Sequence, residues 1–219
     1  GLAMAMPASA DGPGPDFKHL ADETFTSPDG QVRVEQYWME NENDVLHQFW
    51  IFDGKQQAAL LNPGEGADLA GYRAGFRFTS DSRWLVRMQK LGAGYQTLLL
   101  YRRDGDRFLP ATTKPLGKLA WDYLFSLPVS RGMRRPLNHA QVHLLKGLDE
   151  NYAWLGQHWP NSRYLVLNLS FDIQGQKKPS PWVEGWRCVY DLTSGQFTVP
   201  PGFAAHNAKA VKRRDQASR

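Results

Sequence analysis

The sequence predicts a mainly β chain of antiparallel meanders interrupted by a short α-helical insertion, and three observations carry that prediction. A polar turn feeding an apolar run occurs three times: Ser27-Pro28-Asp29-Gly30 before Gln31-Val32-Arg33-Val34, Thr79-Ser80-Asp81-Ser82 before Arg83-Trp84-Leu85-Val86, and Trp159-Pro160-Asn161-Ser162 before Arg163-Tyr164-Leu165-Val166. The runs between turns alternate with the period of two that a strand requires, as Arg73 and Arg77 do against Phe76 and Phe78. Only residues 113–150 depart from this texture: Leu116, Leu119, Ala120, Tyr123, Leu124 and Leu127 follow helical spacing and stop at Pro128.

Taken in order, the first unit runs from Glu23-Thr24-Phe25-Thr26 through the Pro-Asp-Gly turn to Val32–Trp38. The polar Asn41-Glu42-Asn43-Asp44 turn then leads to Val45–Phe52, and Asp53-Gly54 to Ala58–Leu61. Proline presets φ at its turn position, and the glycine supplies the positive φ that follows. The second unit comprises Tyr72–Phe78, Trp84–Gln89, the Gly92-Ala93-Gly94 turn, Gln96–Arg102, and Arg107-Phe108-Leu109 after Asp104-Gly105. The third comprises Tyr152–Leu155, Tyr164–Ile173, Gly185–Leu192 and Phe197-Thr198-Val199. Within the insertion, Leu137–Leu148 reads as a second helix, with Val142-His143-Leu144-Leu145 open to a strand reading, and Arg131, Arg134 and Arg135 form a basic link.

The phrases Phe25-Thr26-Ser27-Pro28-Asp29-Gly30 and Phe78-Thr79-Ser80-Asp81-Ser82-Arg83-Trp84-Leu85-Val86 resemble the F-S-P-D-G-x-x-L/I-A/V repeat of β-propellers in periplasmic Tol-type translocation proteins and prolyl oligopeptidase relatives. The third copy, with Asn161 in place of Asp, is more distant. The resemblance covers the three units and implies propeller-like meanders serving as scaffold or docking surface, with no catalytic residue. Closed propellers usually have at least four blades. Three units therefore leave three arrangements: a degenerate fourth blade from the insertion, an open β-sandwich or incomplete propeller, or a homo-oligomer whose chains complete one ring.

The 219 residues suit one β domain spanning 16–205 with its insertion at about 113–150. Leu2–Met6 followed by Pro7-Ala8-Ser9-Ala10 has the form of the end of a signal peptide, predicting cleavage after Ala10 and export to the periplasm or beyond, with residues 1–15 as leader. No other apolar run approaches the roughly 20 residues of a membrane helix. Residues 206–219 are expected to be a basic, disordered tail. Lys209, Lys212, Arg213, Arg214 and Arg219 against Asp215 account for the chain's formal +4, so no basic face points to nucleic acid.

Catalytic patterns are sparse. His139 and His143 have an i, i+4 spacing, but no third ligand follows and no Glu completes a zincin motif, so neither a metal nor a cofactor is expected. Cys188, alone in the alternating run Trp186–Tyr190, reads as a small core residue. Trp154, Trp159, Trp182 and Trp186 surround the loops of the third unit, where an exposed indole stacks on a sugar or grips a peptide. Trp182, beside Pro179 and Pro181, is the one expected to be exposed. The resulting expectation is an exported, non-catalytic binding module of the cell envelope recognising protein or glycan. The alternative is an envelope glycan or peptide hydrolase with its site near His139, His143 and the insertion.

Overall fold

The computed structural model describes residues 12–54, 58–61, 71–105, 107–135, 140–145, 162–171 and 181–213. The expected mainly β class holds. A smaller antiparallel sheet contains β1 (Lys18–His19), β2 (Phe25–Thr26), β3 (Val32–Glu40), β4 (Val45–Asp53) and β5 (Ala58–Leu60), in the order β1-β3-β4-β5 with β2 also on β3. A larger sheet contains β6 (Ala74–Phe78), β7 (Trp84–Gly92), β8 (Tyr95–Asp104), β9 (Arg107–Pro110), β10 (Ala140–Leu144), β11 (Tyr164–Phe171), β12 (Trp182–Asp191), β13 (Gln196–Thr198) and β14 (Val211–Lys212). Its main path is β13-β12-β11-β10-β8-β7-β6, curled into an open half-barrel, consistent with an open sandwich or an incomplete propeller.

The second helix expected at 137–148 is corrected: its described part is β10. Ala140, Val142 and Leu144 are buried while Gln141 and His143 are half-buried, a period of two that pairs this strand antiparallel to β11 along its whole length. Its other edge meets β8 in parallel at Gln141 and Gln96, joining the second and third units in one sheet. The expected strand at Tyr152–Leu155 lies outside the described residues.

β7 and β8 are the middle layer, because their side chains are buried on both faces. Leu85, Leu99 and Tyr101 pack with Phe76 and Phe78 against Val34, Phe49 and Ile51 of the smaller sheet. Val86, Leu98 and Leu100 face the other way, into a core shared with β10–β12 and helix α1 (Leu116–Ser126). Trp121 of α1 stacks on Phe171 of β11, ring centres 5.0 Å apart. The helix ends as expected, with Leu127 held extended ahead of Pro128.

Helix and middle layer approach so closely that Gly117 has no room for a side chain. A Cβ there would lie 2.3 Å from Thr97 Oγ1 and 3.0 Å from the Leu98 nitrogen.

The first two signature turns fold identically. Ser27 Oγ donates to Asp29 Oδ1 (2.6 Å), which also accepts from the Gln31 N–H, while the Val32 N–H donates to Ser27 Oγ. In the second, Thr79 Oγ1 donates to Asp81 Oδ1 (2.6 Å), which accepts from the Arg83 N–H, while the Trp84 N–H donates to Thr79 Oγ1. Gly30 (φ 72°) and Ser82 (φ 61°) occupy the matching left-handed position. Ser82 stays there although it is not glycine because its buried hydroxyl accepts from the Asp29 N–H (3.0 Å). Asp29 receives Arg103 Nη1 on its second oxygen at 2.8 Å. Ser80 and Ser162 hydroxyls meet at 2.9 Å, so hydrogen bonds link the second unit to the first and to the third.

Two expectations follow. Gly117→Ala lowers stability by about 1–3 kcal/mol through overpacking, where an unobstructed helix would gain up to about 1 kcal/mol from the same change; urea unfolding reads the sign. Partial desolvation works to raise the Asp29 pKa, but hydrogen bonds from Ser27, the Gln31 N–H and Arg103, with the Arg103 charge, hold it below the ordinary value of 3.8. Because the folded pKa is the lower one, the ionised turn's stabilisation is complete above the unfolded value and fades as pH falls through the folded one. Asp29→Asn therefore flattens stability against pH below about pH 4, and parallel acid titrations of both proteins measure it.

Candidate functional site

Of the segment 206–219 expected to be a disordered tail, residues 206–212 are instead part of the site, and 214–219 lie outside the described residues. Pro201–Phe203 makes a 3-10 turn, helix α2 spans Ala204–Ala210, and β14 pairs Lys212 with Trp182 and Val211 with Val183. The domain boundary expected at 205 is thereby corrected, since Phe203, Asn207, Ala210 and Val211 are all buried and residues 206–212 belong to the fold. Composition misled here because the basic residues mask an apolar face with helical spacing.

α2 closes the outer edge of β12. That edge pairs with β13 at Val189–Asp191 and with β14 at Trp182–Val183, which leaves the stretch around Gly185–Arg187 between them. Asn207 fills the gap as a strand would: its Oδ1 accepts from the Arg187 N–H and its Nδ2 donates to the Arg187 carbonyl, both at 2.8 Å. His206 Nε2 donates to the Gly185 carbonyl at 2.6 Å. Gly185 is the extra residue of a bulge opposite Leu169 and Ser170, with φ 77°, and a Cβ there would lie 3.3 Å from Asn168 Oδ1 and 3.8 Å from His206 Nε2.

Between α2 and the end of α1 lies an apolar groove of about 480 Å³. Trp186 is its floor, Tyr123, Leu127, Pro128 and Val129 are one wall, and Val199, Ala204, Asn207 and Ala208 are the other. Tyr123 stands 6.1 Å from Trp186 and stacks on Phe197 at 5.3 Å. Burial, with a smaller contribution from Cys188, pushes the Tyr123 hydroxyl pKa up, so the wall is uncharged. Val129 is 37% exposed at the rim. Arg131, Arg134 and Lys209, which follow the two walls in the chain, are exposed and make no ion pair among the described residues, whereas Arg135 is paired with Asp122.

Of the residues singled out in the sequence, Trp186 is 2% exposed and belongs to the core as well as the groove floor, so it does not act as a free indole. Trp182 is not free either. It opens β12 opposite Lys212, packs on the core, and donates through Nε1 to Glu184 at 3.0 Å. Trp154, Trp159 and His139 lie outside the described residues. His143 sits mid-strand on β10, its Nε2 bonded to Gln141 at 2.8 Å, and burial holds its pKa below the usual imidazole value. No group of three His, Cys, Asp or Glu suited to a metal occurs among the described residues. Cys188 is buried and its thiol pKa is pushed far up by that burial, in keeping with a core residue. No described helix is long and apolar enough to cross a membrane.

Sequence reasoning passed over Tyr123, Val129, Asn207 and Ala208, which become neighbours only when α2 folds back on β12. The chain matches no protein-family model and no curated protein.

Asn207→Ala leaves the Arg187 N–H and C=O without their partner and costs about 1–3 kcal/mol. Hydrogen exchange is expected to accelerate at the Arg187 amide while the amides of β7 and β8 keep their protection.

Proposed function

We propose that the chain is an exported, non-catalytic binding module of the cell envelope that seats an apolar, acid-flanked segment of a partner protein in the groove above Trp186. The observation that carries this reading is the groove itself: an uncharged, largely apolar trough with an exposed rim valine, its walls followed in the chain by the exposed Arg131, Arg134 and Lys209, which make no ion pair among the described residues. Walls of Leu127, Val129, Val199 and Ala204 suit aliphatic or aromatic side chains better than sugar hydroxyls, which would lose their water without gaining hydrogen bonds. The basic rim complements acidic flanks and favours a partner of that charge. Export rests on the Ala8-Ser9-Ala10 pattern. The matching networks of the first two turns support the propeller-type scaffold that the repeat suggests.

A photoreactive residue at exposed position 208 tests the reading in an envelope extract. The expected product is one recurrent cross-linked peptide with an apolar centre and flanking Asp or Glu. Ala208→Glu, which puts a charge in the groove and repels acidic flanks, is expected to weaken capture of that peptide at least about tenfold, the equivalent of 1.4 kcal/mol. Cross-links to glycan, or undiminished capture by the variant, would refute it.

A further inference from the structure

The packed layer between the smaller sheet and β6–β9 contains a charge that no acid among the described residues balances. Arg87, on β7, has a relative exposure of 0%. Its alternation with Val86 and Met88 turns it toward the smaller sheet, where the guanidinium lies 3.8 Å from the centre of the Phe49 ring and 5.9 Å from that of Phe76. Nε donates to Gln89 Oε1 at 3.0 Å, but neither Nη1 nor Nη2 has a hydrogen-bond partner among the described residues. A guanidinium does not shed its proton to escape, because it stays charged in proteins.

Two further buried polar atoms in the same layer also lack partners, the Tyr101 hydroxyl and His47 Nδ1. Both sense the Arg87 charge: burial raises the Tyr101 pKa against the opposing pull of the guanidinium, and His47 is held below its usual pKa first by burial and then by Arg73 and Arg87. The nearby buried amides are occupied. Gln36 bonds both backbone groups of Ala74, and Gln89 Nε2 donates to the Arg73 and Lys90 carbonyls. Cation–π contact returns less than the burial of an unpaired ion costs. The ring contact therefore leaves the charge undercompensated.

We propose that Arg87, Tyr101 and His47 form an internal site for a small inorganic monoanion, a halide, that clamps the first meander to the second. Each of the three can donate a hydrogen bond: Arg87 through both Nη groups, Tyr101 through its hydroxyl, and His47 through Nδ1 in the matching tautomer. Complete burial of Arg87 selects against carboxylates and phosphates, whose bulk and hydration suit an open cleft. The anion neutralises the guanidinium and satisfies the orphaned donors in one step.

The test is thermal unfolding of the full chain at constant ionic strength as sodium chloride replaces sodium gluconate. The expected result is a saturating rise in Tm on the order of 5 °C, because a ligand of the folded state stabilises it by mass action. Arg87→Met, which keeps the bulk and removes the charge, is expected to fold and to lose the chloride response. A flat wild-type titration, or the same response in both proteins, overturns the proposal. Should the variant fail to fold, crystals of the wild type grown in sodium bromide decide: an anomalous peak in contact with the Arg87 Nη atoms supports the site, and its absence there refutes it.

Discussion

Asp29 folds its own turn with one carboxylate oxygen and holds a neighbouring unit with the other, and the arrangement of the meanders depends on that division. Oδ1 is committed to Ser27 and the Gln31 N–H; Oδ2 reaches Arg103 at the end of β8. The Asp29 N–H meanwhile goes to Ser82, the residue held in a left-handed conformation in the second turn. Each turn is therefore fixed partly by itself and partly by the next. A hairpin of two strands is marginal alone, but turns that share hydrogen bonds force the sheets they belong to into a single alignment.

That alignment explains the layering. With the turns tied together, the smaller sheet lies over one face of β7 and β8, and α1 with β10–β12 covers the other. The run Thr97–Tyr101 is buried without interruption, the burial expected of a strand between two packed faces rather than of one at a surface. Gly117 belongs to the same geometry, since the helix that seals the second face touches the backbone of β8.

Much of this was legible in the residues. The first two turn-and-strand units, the described strands of the third and the first helix all follow from local chemistry: prolines and glycines at turn positions, period two in strands, and helical spacing up to Pro128. The misreadings have physical causes. β10 carries apolar residues at 142, 144 and 145, a cluster that suits a helix or a strand equally, and its pairing partners lie far along the sequence in β8 and β11. The carboxyl-terminal segment looked like a solvated tail because its charge is conspicuous, whereas the residues that anchor it, Asn207, Ala210 and Val211, gain meaning only beside β12. Trp186 was legible as a residue of interest but not as a groove floor. Arg87 gave no signal at all, because an arginine in an alternating run reads as the wet face of a strand until another sheet is laid upon it.

The closed edge of β12 also sets an order of assembly. Its backbone groups near Gly185 and Arg187 find their last partners in His206 and Asn207, about twenty residues further on. As the chain emerges from amino to carboxyl end, β12 can pair with β11 before anything covers its other side. For that interval it offers an open strand edge, the feature that recruits foreign strands. The final turn of helix and the two residues of β14 thus work as a latch that ends the period in which the nascent protein is vulnerable to its neighbours.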